Sequence, residues 1–142
     1  MIQYNFDDSN IKWQQLGDFE HFKVSILNID ENKKTIDALF KFDANKQIVL
    51  HRHMVLNKTF VIAGEHRLYL PNGELKEVRP VGLYKICPPD VEPHREGGGD
   101  NGAVVFFNIQ GDDVLYEILD DNQNVLGTLT VDDAKALYDA AN

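Results

Sequence analysis

Short stretches rich in β-branched and aromatic residues recur along this chain at intervals of about ten residues, each bounded by turn formers. They cover residues 11–16, 22–29, 35–42, 47–53, 59–63, 66–70, 82–87, 104–109 and 114–119. Between them lie Asp30-Glu31-Asn32-Lys33, Asp43-Ala44-Asn45, Pro71-Asn72-Gly73 and Asp120-Asp121-Asn122-Gln123-Asn124. Many short strands at even spacing predict an all-β sandwich or barrel. Pro71-Asn72-Gly73 marks a hairpin, because its glycine supplies a positive φ at no steric cost. No repeat, low-complexity segment or linker interrupts the pattern, so residues 1–142 read as one domain.

The period changes once, near the C-terminus. Thr130 is placed to cap a helix, with Asp132 and Asp133 in the first turn where the helix dipole favours negative charge. Ala134, Leu137, Tyr138 and Ala141 then recur at spacings of three and four, which is one helix face. That face is expected to pack on the outside of the barrel.

Composition narrows the function. A chain of this size buries about two-thirds of its unfolded surface and needs no disulfide to fold. Fourteen Lys and Arg against 23 Asp and Glu leave a net charge of -9. That is the opposite of the basic surface a nucleic acid or an anionic membrane requires, so neither is expected as a partner. No apolar run approaches the roughly 20 residues of a membrane span. The stretch Met1-Ile2-Gln3-Tyr4-Asn5-Phe6-Asp7-Asp8 has neither the basic nor the apolar region of a signal peptide, which points to the cytoplasm. The single cysteine, Cys87, excludes an internal disulfide and a multi-cysteine zinc site.

Chemistry is concentrated in the histidines. His51 and His53 follow Ile48-Val49-Leu50 and so fall on a strand, where residues i and i+2 share a face. Their Cα atoms would stand about 6.5–7 Å apart, close enough for both imidazoles to reach one metal. The same pair would serve equally as a hydrogen-bonded core feature, and the residues alone leave both readings open. After His53, three residues lead to Asn57 and six more to Gly64. Downstream, Gly82 is followed by five residues, then Pro88, Asp90 and, after three more, His94.

This spacing resembles the two-motif signature of the cupin superfamily: His-x-His, three or four residues, Glu, six residues, Gly; then Gly, five residues, Pro-x-Gly, two residues, His. The chain departs from it at Asp90, which stands at a Gly position with one extra residue before His94, and at Asn57, which stands where the Glu ligand is usual. Within the cupins the chain is most similar to the ChrR-like group, which includes diketone-cleaving dioxygenases. The likeness runs from Trp13 through His51-Arg52-His53, Gly64-Glu65-His66-Arg67-Leu68-Tyr69, Pro88-Pro89 and Phe106-Phe107-Asn108-Ile109-Gln110-Gly111 to Ala136-Leu137-Tyr138. It implies an all-β cupin fold (an RmlC-like jelly-roll barrel) with a C-terminal α-helix. It also implies a metal held by three neutral imidazoles, His51, His53 and His94, with no carboxylate from position 57. Imidazole suits iron, nickel, copper and zinc alike, so the donor atoms do not choose the metal. The resemblance favours Fe(II), with Zn or Ni as alternatives, and a homodimer joined through its sheets.

Other polar residues compete for the site. Arg67 and Tyr69 share a strand face; if it lines the barrel, they would stabilise an enolate or carboxylate. A salt bridge from Arg67 to Glu65 or Glu96 is the competing expectation. His66, alternating with them, is expected on the surface or at a dimer face, and His21 in solvent. Glu92 and Glu96 flank His94 at i−2 and i+2, so either would serve as a fourth ligand or orient an imidazole if the strand is regular. Pro93 and the run Gly97-Gly98-Gly99 argue instead for an irregular loop with both glutamates solvated. Cys87 is expected as a small core residue. The leading function is a dioxygenase that cleaves a C–C bond of a diketone or hydroxyaryl-ketone substrate. The alternatives are a non-catalytic metal or ligand sensor, and a cupin isomerase or lyase.

Overall fold

The computed structural model describes residue 2 and residues 4–142; Met1 and Gln3, part of the stretch read for a leader, lie outside the described residues. Among the described residues nine strands precede one helix: β1 (Phe22–Asp30), β2 (Thr35–Phe42), β3 (His51–His53), β4 (Leu56–Tyr69), β5 (Leu75–Pro80), β6 (Tyr84–Cys87), β7 (Arg95–Gln110), β8 (Val114–Leu119), β9 (Val125–Thr130) and α1 (Val131–Ala141). A large antiparallel sheet runs β1-β2-β7-β4-β5, with β6 also paired to β4. It faces a smaller sheet ordered β3-β8-β9. This is the expected all-β barrel with a terminal helix.

The core follows from alternation. Val24, Ile36, Ala38, Val105, Phe107 and Ile109 from the large sheet meet Tyr116 and Ile118 from the small one. Strand-paired residues such as Ile36 and Ile109, or Ala38 and Phe107, point to one face and bury together. Thr130 caps α1 as the sequence suggests: its side chain accepts from the Asp133 backbone while the Asp133 side chain answers the Thr130 backbone. Val131 and Ala134 are the buried residues of the helix, and Leu137 packs against the same core. The helix has 11 residues, and no helix of the described residues is long and apolar enough to cross a membrane.

Several elements differ from the sequence reading. Residues 11–16 form no strand; only Gln14 bridges to Val24. The stretches 59–63 and 66–70 belong to one long strand, β4, whose pairing with β7 slips at Val61/Ala63 and again at Gly64/His66. Strands β5 and β9 were not anticipated, since Leu75-Lys76-Glu77-Val78-Arg79-Pro80 is charged and β9 carries Gly127. The triple glycine is no loop: Gly97, Gly98 and Gly99 are buried within β7. A Cβ at Gly97 would lie 1.9 Å from the Lys46 carbonyl oxygen, so only glycine lets segment 43–47 cross this strand and close the barrel end.

Candidate metal centre

Two short antiparallel segments build the site. His51 and His94 exchange backbone hydrogen bonds of 3.0 and 2.9 Å, and Ile48 N–H donates to the Glu96 carbonyl at 2.8 Å. On its other edge β3 pairs with β8, His51 opposite Ile118 and His53 opposite Tyr116. Each segment therefore offers an i, i+2 pair to the interior: His51 and His53 from one, His94 and Glu96 from the other. All four side chains are buried, and one donor atom from each lies within 4.8 Å of the others.

The fourth member was the uncertain one. Beyond His94 the strand is regular, so Glu96 turns inward and is 2% exposed, while Glu92 is exposed. The expectation of a solvated Glu96 is thus corrected: its carboxylate stands among the three histidines. Glu96 Oε1 lies 3.0 Å from His51 Nε2, 2.9 Å from His53 Nε2 and 2.7 Å from His94 Nε2. Burial works against its charge, but hydrogen bonds from His51, His53, His66 and His94 hold the carboxyl well below the usual range.

The outer edges of the rings set their tautomers. His51 Nδ1 donates to the Val49 carbonyl at 2.9 Å, and His94 Nδ1 donates to Asp90 Oδ2 at 3.1 Å. That Asp90 oxygen also accepts from the His53 backbone N–H at 2.8 Å, so one carboxylate braces both segments. Burial draws the His53 imidazole down to about 4. Burial acts the same way on His94, yet its bonds to Asp90 and Glu96 prevail and push it up to about 9. With Nδ1 donating outward, His51 and His94 can donate from Nε2 to Glu96 only as protonated imidazoles; their neutral forms aim bare Nε2 lone pairs at the carboxylate oxygen. Such a set is mutually repulsive unless a cation sits among it. Three imidazoles and one carboxylate, buried and braced by Val49 and Asp90, therefore suit a divalent transition metal.

The bulges in β4 decide the neighbours. Asn57, Thr59 and Val61 face inward, and unbroken alternation would bring Arg67 and Tyr69 inward with them. The register slips move the inward face to His66 and Leu68, paired with Gly98 and Glu96. His66 is consequently 1% exposed, against the expectation of a surface residue, and its Nε2 donates to Glu96 Oε2 at 2.8 Å. Arg67 and Tyr69 occupy the opposite face, opposite Gly97 and Arg95, and the structure does not bring them to the cluster. The competing expectation for Arg67 holds: its Nε donates to Glu65 Oε2 at 2.6 Å.

Asn57 is 0% exposed and fully engaged. Its Nδ2 donates to the Val55 carbonyl at 2.9 Å, and its Oδ1 accepts from the Tyr116 hydroxyl at 3.1 Å. The Tyr116 ring in turn stands edge-on to His53, centroids 4.8 Å apart. Position 57 thus anchors a wall of the site. Cys87 is half-buried, with Arg79 Nη1 3.9 Å from its sulfur, and His21 is half-exposed beside Glu20 and Asp43. A cavity reaches the cluster at His51, His53 and Glu96; Phe19, Phe22, Phe40, Phe42 and Phe107 give it an apolar lining.

No protein-family description and no curated protein matches this sequence. Solved structures do match in shape. An acetylacetone dioxygenase from Acinetobacter johnsonii is 13% identical, with the match covering 100% of this chain and 94% of that one at a TM-score of 0.73. An RmlC-like cupin protein from Ralstonia eutropha is 16% identical, covering 99% and 87% at 0.76. A polyketide cyclase from Streptomyces resistomycificus is 16% identical, covering 92% and 86% at 0.58. The chain has the cupin fold, as the two spaced motifs suggest.

Proposed function

We propose that this protein is a metal-dependent dioxygenase acting on an apolar diketone or hydroxyaryl ketone. The observation that carries the reading is the phenylalanine-lined cavity ending on His51, His53 and Glu96. Flat, weakly polar substrates suit such walls, whereas a polyol would leave its hydroxyls unpaired. The likeness to an acetylacetone dioxygenase supports the same class. His51, His53 and His94 would hold Fe(II), with Zn or Ni as alternatives, and Glu96 would add a carboxylate. The metal supplies Lewis-acid and redox chemistry. The chain contributes the rest: Asp90 and Val49 orient the imidazoles, the phenylalanines exclude water, and Tyr116 walls the site while Asn57 occupies its hydroxyl.

A second reading has its own support. Four protein donors complete a tetrahedral set, which is how non-catalytic metal sites are built. A sensor would then hold zinc tightly without turnover, and a lyase or isomerase would turn over without oxygen. Elemental analysis followed by oxygen uptake across diketones and hydroxyaryl ketones separates these. Iron with substrate-dependent oxygen consumption is expected; bound zinc with no uptake would favour the sensor.

A homodimer belongs to the same proposal. Phe60 pairs with Tyr84, and Lys58 with Ile86, on the outer face of β4 and β6. Phe60, Tyr84 and Ile86 are 41%, 53% and 58% exposed, an apolar patch suited to a second copy. Light scattering should give twice the monomer mass.

A further inference from the structure

Glu96 divides its two oxygens between different partners. Oε1 faces the three imidazoles, whereas the hydrogen-bond partner of Oε2 is His66 Nε2, at 2.8 Å. His66 comes from β4, while the imidazoles that face Oε1 come from β3 and from position 94 beside the start of β7. Its ring stacks on Phe42, centroids 5.2 Å apart and nearly parallel. Its other nitrogen, Nδ1, is buried with no hydrogen-bond partner among the described residues. The ring's one polar contact is therefore Glu96, and because a carboxylate only accepts, the proton must sit on Nε2.

We propose that His66 is a positioning residue that withholds Glu96 Oε2, so that the carboxylate offers a single oxygen to the metal. The inference rests on the metal-site reading above. A carboxylate free to turn would present both oxygens and take up a coordination position that a substrate needs. The β4 bulges supply the residue for this purpose. They carry a positive-φ glycine, Gly64, and bring His66 inside in place of Glu65 and Arg67.

Cobalt(II) titration of the chelator-stripped full chain tests this without any activity assay. Parent, His66→Phe and His66→Gln are compared; Phe keeps a ring against Phe42 but cannot donate, and Gln restores a donor. In His66→Phe the visible cobalt absorption should weaken as a second carboxylate oxygen joins, and affinity should fall about tenfold, as for other groups that support ligands. His66→Gln should recover both. A folded Phe variant with the parental spectrum and affinity would overturn the proposal, as would a Gln variant as altered as Phe. Should the Phe variant not fold, nitrogen NMR of labelled histidine in the parent decides: a proton on His66 Nε2 in stripped and zinc-loaded protein is expected, and a proton on Nδ1 overturns the idea. Failure of the parent to take up cobalt would instead overturn the metal reading itself, and this inference with it.

Discussion

Strands β4 and β7 lie side by side along their length, yet the two halves of the pair do different work. In one half, Asn57, Thr59 and Val61 face inward beside Val105, Phe107 and Ile109, and the interior is dominated by apolar packing. In the other, the inward residues are His66, Leu68 and Glu96, and the interior is ionic. The joint is the pair of bulges between Val61 and His66. A single strand pair thus anchors the barrel at one end and places ligands at the other, and the bulge lets each end choose its own inward residues.

The separation can be broken from either side. Ile109→Ala, in the apolar half, should cost about 2–5 kcal/mol by denaturant unfolding. Metal affinity should stay within about threefold, since Ile109 is not one of the four clustered residues. A collapse in affinity would show that the halves are coupled. Glu96→Gln, in the ionic half, should lower metal affinity on the order of a hundredfold, near 2.7 kcal/mol, in a chelator competition. Parental affinity would remove Glu96 from the ligand set.

pH sharpens the contrast in metal-free protein. His94, raised to about 9, contributes stability that is present below its unfolded pKa and lost as pH rises toward 9. His53, lowered to about 4, has the opposite sign: its contribution is present above the unfolded value and lost as pH falls toward 4. Stability should peak near the ordinary histidine pKa, with flanks no steeper than about 1.4 kcal/mol per pH unit for each group. Metal should flatten the alkaline flank, because a ligated His94 has no proton to lose, and steepen the acid one, because ligation keeps all three imidazoles unprotonated. A monotonic profile from thermal melts at several pH values would count against this assignment. The smallest effect should come from Arg67→Ala, whose partly exposed pair with Glu65 is worth less than about 1 kcal/mol and whose loss should leave metal binding untouched. A loss of turnover there would restore Arg67 to the site.

The same joint explains what could be read from the chain alone. His51 and His53 were legible because period two holds within a short strand, and His94 because its spacing from Gly82 and Pro88 misses the second motif by a single residue. Glu96 was visible only as a conditional, since Pro93 and three glycines suggested an irregular loop where the structure has a crowded, regular strand. His66 and Arg67 were exchanged in role because side-chain pattern carries no mark of a register slip; Gly64 signals that a bulge is allowed without saying which way the faces turn. β5 escaped notice because its alternation is masked by charge.

The glycines of β7 affect how variation in this protein would be read. Between them, Gly97 and Gly98 would push a methyl group to within 1.9 and 2.6 Å of main-chain atoms, so substitution there is as ruinous as at a ligand. A library of single variants selected for function would show one unbroken trough from position 94 through 98, save for the outward Arg95. Depth of intolerance would not tell the residues that hold a metal from those that merely make room. Repeating the selection across metal concentrations would: excess metal should lift the floor at His94 and Glu96 and leave it unmoved at the glycines.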